Sequence, residues 1–428
     1  MLFMGGRSFY RNMSRFRVLL AALIFVIGVF TVIFGAVSGM ITAVQDKAAR
    51  YFSGHLTVQQ VFLDSYPKIL QPASTTTALA PLLGDVSLMT KRSVYYNAGQ
   101  AELFFGGNSQ RQRRLIGVDW QHEQSIMAGL DYKAGSAPGD DDATAILVST
   151  ITADALGLLL GDEVVIRLST QTGSINSSTY VVHGIFYESS FFGFSSYLQR
   201  EALNSLMAVD TDSVNEIGLY LRQPRDMARV GGAVSATLAS LGPVFPVLLN
   251  RQQRDAALSF SGWNNGQFLV TSLDAQLAEI HNLIRALWAI GVVLVVLFGV
   301  LVIIGISNTY SFLVLERTSE IGTMRAIGMS KARVLGMFLS ESLFLGVIGL
   351  SLGVLGGCAM LELLRLAFDF SGSDLASLFL VRGRLNWDLE PYHIALLFIL
   401  GLVSVIAGSF RAAWRAAQLS PVVALRHA

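Results

Sequence analysis

Apolar residues run without an intervening Asp, Lys or Arg through four long intervals, one at the start of the chain and three towards its end. They are Val18–Gln45, Ala286–Leu315, Val334–Leu361, broken only by Glu341, and Pro391–Phe410. A helix crossing the hydrocarbon of a bilayer needs about 20 apolar residues and carries charge only at a cost. The intervals therefore predict transmembrane helices over 18–45, 281–315, 334–361 and 391–410. The first is longer than the roughly 7–15 residues of a signal-peptide h-region and no Ala-x-Ala site follows it, so it is expected to be retained.

Between the first two intervals the pattern changes. Residues 46–280 alternate strand-like and helix-like runs. His55–Phe62, Ser93–Phe105 ending at Gly106-Gly107, Arg114–Asp119, Val164–Leu168 and Tyr180–Phe186 read as strands. Thr150–Leu160, ending at Gly161, and Asp226–Leu241, stopped by Gly242 and Pro243, read as helices, and Ser169–Thr179 as a hairpin tip. The expected fold is an α-helical membrane protein with four transmembrane helices plus a large α+β extracytoplasmic domain of two lobes. A second outside segment is expected at 362–390.

Charge fixes the expected orientation. The formal net charge is +1, from 31 Lys+Arg against 30 Asp+Glu. The balance conceals segregation. Residues 1–17 carry Arg7, Arg11, Arg15 and Arg17 and no acid, the loop 316–333 is net basic, and the tail 411–428 carries Arg411, Arg415 and Arg426. Residues 41–282 hold 16 basic and 22 acidic residues, and 362–390 hold 3 and 5. The positive-inside rule then places both termini and the 316–333 loop in the cytoplasm.

Composition agrees, with 52% hydrophobic and 14% charged residues against the roughly 25% charged usual in soluble proteins. The near-neutral total argues against a nucleic-acid partner. The single cysteine, Cys358, excludes an intramolecular disulfide and a Cys-rich metal site. There is no G-x-x-x-x-G-K-[ST] loop, no G-x-S-x-G elbow and no H-E-x-x-H pair, so no catalytic residue and no metal ligand is assigned.

Several residues invite specific readings. Gly35 and Gly39, and Gly349, Gly353 and Gly357, have the four-residue spacing that lets helices approach closely in lipid, within the chain or at a subunit interface. Glu341 is an intramembrane carboxylate placed to hydrogen-bond a neighbouring helix or to snorkel. Phe191, Phe192 and Phe194, with Tyr187 and Tyr197, form an aromatic cluster that either contacts apolar cargo or fills a corner of the domain. Asp140-Asp141-Asp142 reads as a solvated turn, and Arg111, Arg113 and Arg114 as a solvated hairpin edge.

The loop Leu315–Arg333 carries most of the functional information. Ile321, Met324 and Ile327 fall on one side of a short helix, Glu320 and Arg325 are available to ion-pair, Gly328 ends the helix and Ser330 caps the next. Such a helix either lies on the membrane surface or serves as a knob for a cytoplasmic partner.

Glu316-Arg-Thr-Ser-Glu-Ile-Gly-Thr-Met-Arg-Ala-Ile-Gly328, Phe338-Leu-Ser-Glu-Ser-Leu343 and Ser420-Pro-Val-Val-Ala-Leu-Arg426 resemble the FtsX-like permeases of MacB and LolC/LolE type. So do Ser53–Val58, Leu115–Asp119, Leu156–Asp162 and Val182–Phe186, which are similar to that family's periplasmic core. The resemblance implies a permease of an ABC transporter in the bacterial inner (plasma) membrane. Glu316, Arg317, Glu320, Ile321, Gly322, Met324, Arg325, Ala326, Ile327 and Gly328 would then couple to a separate ATPase, present in two copies beside a second permease chain. ATP and Mg would be used by that partner, and this chain would bind no cofactor. MacB carries a fused ATPase domain and this sequence has no ATPase motif, which favours the LolC/LolE branch and a lipoprotein or amphipathic cargo. The short Ser169–Thr179 tip weakens the case for handoff to a periplasmic carrier. Export of peptides, drugs or lipids, and FtsX-like activation of a cell-wall hydrolase, are the alternatives.

Overall fold

The computed structural model describes residues 13–62, 68–95, 100–139, 142–188, 193–260, 262, 265–277, 280–370 and 378–418. Phe191, Phe192, Asp140, Asp141, Arg7, Arg11 and the Ser420–Arg426 motif lie outside the described residues. The chain divides into two compact units, one made of Met1–Ile41, Ile284–Asp369 and Leu385–Ala428, the other of Thr42–Leu283 and Phe370–Arg384.

The first unit is built from α1 (Met13–Tyr51) as far as Ile41, α2 (Ile280–Glu316) from Ile284, α3 (Thr318–Ala326), α4 (Lys331–Ala367) and α5 (Pro391–Gln418). α1, α2, α4 and α5 are long and apolar enough to cross a membrane. They outrun the apolar intervals because backbone hydrogen bonding continues past the last apolar residue. α1 begins at Met13 and ends at Tyr51, and α4 reaches Ala367 through an i,i+3 pair in which Arg365 Nη2 lies 2.6 Å from Glu362 Oε1.

Glycines set the packing of this unit. Gly349, Gly353 and Gly357 of α4 face Leu23, Ile27 and Thr31 of α1, both rows stepping by four residues. A methyl on Gly353 would lie 2.7 Å from Ile27 Cβ, and one on Gly357 would lie 2.5 Å from Thr31 Cβ. Gly35 meets Leu361 and Leu389 in the same way, and a methyl on Gly39 would overlap the Asn386 carbonyl. These spacings serve close approach within the chain. α2 instead leaves Ile290, Val293, Val296, Leu297, Leu301 and Ile304 exposed, an apolar face suited to hydrocarbon.

The second unit contains strands β1 (Leu56–Val61), β2 (Val86–Tyr95), β3 (Ala101–Phe105), β4 (Asn108–Gln112), β5 (Arg114–Val118), β6 (Tyr132–Gly135), β7 (Ala145–Ser149), β8 (Glu163–Ser169), β9 (Ile175–Phe186), β10 (Ser195–Gln199), β11 (Glu216–Leu221) and β12 (Gln267–Ser272). They form one path, β12-β1-β11-β2-β5-β10-β7-β9-β8-β3-β4, with β6 on β9. The path is continuous because β2 pairs with both β11 and β5. Apolar side chains such as Leu103, Leu115, Ile146, Val164 and Leu198 fill one core, and Ile116, Val118, Trp120 and Tyr197 another.

Three boundaries differ from expectation. The helix from Thr150 stops at Leu156, because Gly157 adopts a left-handed φ of 73° and its N–H bonds the Ala153 carbonyl. The helix expected over 226–241 spans Met227–Leu238. The tip expected over 169–179 is shorter, since β8 and β9 pair out to Ser169 opposite Ile175. Tyr197 is buried with its ring 5.5 Å from Phe186, so it belongs to the core.

Candidate functional site

The loop between α2 and α4 folds as expected from its capping residues. α3 ends at Ala326, Gly328 takes a φ of 98°, and the Ser330 hydroxyl accepts the Arg333 N–H to start α4. Its faces differ from the expected ones. Ile321 and Gly322 are buried and Met324 is half-buried, but Ile327 lies past the last helical residue and is 88% exposed. Arg325 donates to the Met329 carbonyl at 2.9 Å rather than pairing with Glu320. The outward surface is made by Glu316, Glu320, Thr323, Ala326, Ile327 and Gly328.

Arg317 does not belong to that surface. Its Nη1 lies 3.2 Å from both carboxylate oxygens of Glu341, with Arg317 4% and Glu341 1% exposed. Two residues assigned to different roles thus form one buried ion pair, tying the start of α3 to α4. The 24-residue separation carries no periodic signal. A charge inside an apolar interval was the clue that a partner should exist.

In the same unit, α1, α2 and α5 line an open apolar cavity of about 360 Å³, with Leu23, Phe30, Phe34, Trp288, Val296 and Leu397 among its residues. No charged residue lines it. Trp288 stacks on His393 at 6.1 Å and meets Phe34 edge-on at 6.0 Å.

The last turns of α1, from Thr42 on, belong to the second unit and are held within it. Ala43, Val44, Ala48 and Ala49 are buried. The terminal carbonyls, the negative end of the helix dipole, are met by donors: Tyr220 Oη donates to Ala49 O at 3.1 Å and Arg92 Nη1 to Arg50 O at 2.6 Å. Arg92 is fully buried and also donates to Glu123 through Nε and Nη2. Burial opposes the Arg92 charge, and the Glu123 carboxylate together with Tyr220 and Tyr197 more than offsets it, so its pKa moves up. Arg114, expected at a solvated edge, is buried because β5 lies inside the sheet between β2 and β10, with all five of its residues buried. It pairs with Glu216 at 2.7 Å and lies over the Tyr51 and Phe52 rings at 5.0 and 5.6 Å. Arg111 is exposed and pairs with Glu102. Sequence patterns gave no sign of Arg92, Glu123 or Tyr220, which meet only through the sheet.

Phe194 is half-buried with a φ of 50°, and its carbonyl accepts the Arg113 N–H at 2.9 Å. Asp142 accepts from Thr144 N and Oγ1, closing a turn.

Residues 292–421 match the family model described as FtsX-like permease C-terminal. That match contains α3, α4, α5 and the part of α2 from residue 292 on. This part of the chain is similar to the FtsX-like permeases. The chain is 33% identical over 169 residues to the "ABC transporter permease YtrF" of Bacillus subtilis (strain 168), spanning 37% of each chain. It is 22% identical over 330 residues to the "Lipoprotein-releasing system transmembrane protein LolC" of Xylella fastidiosa (strain 9a5c), spanning 72% of this chain and 74% of that one. The chain thus spans little more than a third of the first relative and about three quarters of the second. Among solved structures, the periplasmic region of MacB from Actinobacillus actinomycetemcomitans is 12% identical, with a TM-score of 0.33, covering 55% of this chain and 96% of that one. With four helices among the described residues long and apolar enough to span a bilayer, the chain is a multi-pass membrane protein.

Proposed function

We propose that the chain is the permease subunit of an ABC exporter, with both termini in the cytoplasm of a bacterial inner membrane and α3 docked on a separate ATPase that uses ATP and Mg. The observation that carries this reading is the exposed end of α3. A large apolar side chain, Ile327, stands 88% exposed at the C-cap of α3, and the N-cap of that helix, Arg317, is held by its pair with Glu341. An isolated apolar residue presented in this way suits a pocket in a partner.

The cargo proposed is lipidated or amphipathic. The cavity among α1, α2 and α5 is apolar and of a size for an acyl chain, and its lining offers a hydrophilic solute no charged group. The likeness to a lipoprotein-releasing permease supports the same choice. In this reading the chain performs no chemistry. ATP-driven movement at α3 reaches the outside domain through the long helices, and a second permease chain completes the assembly.

Copurification tests the coupling. The ATPase is expected to copurify with the wild-type chain and to be lost from Ile327→Glu while the variant stays folded. Retention of the ATPase and of its turnover by Ile327→Glu removes the docking assignment. A photocrosslinker in place of Phe30 tests the cargo, with acyl-chain adducts expected and their absence in a transporting complex excluding the cavity.

A further inference from the structure

Within the second unit, one carboxylate holds three segments that are far apart in the sequence. Asp131, 6% exposed, lies between β5 and β6. Its Oδ2 is 3.4 Å from Lys47 Nζ, on the last turns of α1, and accepts the Arg382 backbone N–H at 3.0 Å. Lys47 Nζ also donates to the Leu380 carbonyl at 2.6 Å, and Arg382 Nε lies 3.7 Å from Asp131 Oδ1. The 378–384 segment thus joins this unit through Asp131 and Lys47, with Leu378 and Leu380 buried.

The turn that delivers Arg382 is strained. Val381 and Arg384 pair across it, and its two central residues, Arg382 and Gly383, have φ of 52° and 71°. Glycine or asparagine is the usual choice for such positions, and a long side chain there costs energy. At Arg382 that cost coincides with two approaches to one carboxylate. The joint also differs from the Arg92–Glu123 pair, in which both side chains are 0% exposed. At Asp131 the Arg382 side chain is 73% and Lys47 17% exposed, so water can replace the protein partners as they part. A fully buried pair has no such substitute.

We propose that Asp131 is a positioning residue that ties the 378–384 segment to the end of α1, and that this tie opens and closes during the transport cycle. The proposal rests on the exporter reading for its second half only.

Hydrogen–deuterium exchange on the full chain in nanodiscs tests it, read on a peptide spanning 378–384. Asp131→Ala is expected to raise exchange of that peptide about tenfold, with the β5 peptide unchanged as a check on folding. Lys47→Met should raise it in the same direction and serves as the second variant. Unchanged exchange in both overturns the tie. In the complex with its ATPase, trapping with ATP and vanadate is expected to raise exchange of the wild-type peptide. Identical exchange in trapped and nucleotide-free complexes that do turn over ATP overturns the opening. If no ATPase assembles with the chain, the exporter reading fails, and the Asp131 and Lys47 variants still decide the tie.

Discussion

Arg317 Nη1 stands 3.2 Å from each carboxylate oxygen of Glu341, and neither side chain is more than 5% exposed. Breaking such a pair leaves one buried charge without its partner, at a cost of about 3–5 kcal/mol, whereas replacing both by apolar residues of similar volume is far milder. Glu341→Gln alone should therefore lower the thermal midpoint in detergent sharply, while Arg317→Met with Glu341→Leu should recover most of it. Additive losses in the double variant would show that the pair is not a unit.

The α1–α4 contact separates two kinds of glycine. At Gly349 an added methyl would meet the Leu23 side chain, with Cγ at 2.9 Å, whereas at Gly357 it would meet Thr31 Cβ and, at 2.8 Å, the Gly28 carbonyl. Overpacking of this sort costs about 1–3 kcal/mol. Gly349→Ala should be rescued by Leu23→Ala, and Gly357→Ala should not be rescued by Thr31→Ala, which keeps Cβ. Thermal unfolding of the four variants checks this, and equal rescue at both sites would contradict it.

Position within α3 decides which substitutions report on coupling. Gly322 is buried and Ile327 is exposed, so Gly322→Trp should unfold the loop region and lose the protein during extraction. Ile327→Glu should change stability by about 0.5 kcal/mol or less, as exposed sites do. Comparing their melting curves decides whether an uncoupled phenotype reflects docking or misfolding.

The membrane half was readable because charge is excluded from hydrocarbon, so gaps between charged residues mark the helices to within a few turns. Ser330 and Gly328 were readable because capping is local. The strand order was not, because β10 beside β5 and β7 joins segments about 50–80 residues apart, and nothing local encodes that choice. The same limit hid the Arg92–Glu123 pair and the Asp131 joint. Ile327 was placed on the wrong face because a helical period was extended one residue beyond the helix end.

Glu188 gives the second unit a pH dependence of definite sign. Its carboxylate accepts from the Ser195 N–H at 3.1 Å and from the Ser195 hydroxyl. Burial pushes its pKa up to about 7 from the ordinary 4.5, with the Ser195 hydrogen bonds opposing. A raised folded-state pKa means that the folded protein holds the proton more tightly than the unfolded chain. The resulting stabilisation is complete below pH 4.5 and is lost as pH rises through 7. The interval between those values corresponds to about 3 kcal/mol. Wild-type protein in detergent should therefore lose stability from pH 5 to pH 8 relative to Glu188→Gln, whose neutral amide does not titrate. The two should melt alike near pH 5, with the variant higher at pH 8. Parallel melting curves across that range would show that Glu188 keeps an ordinary carboxylate pKa.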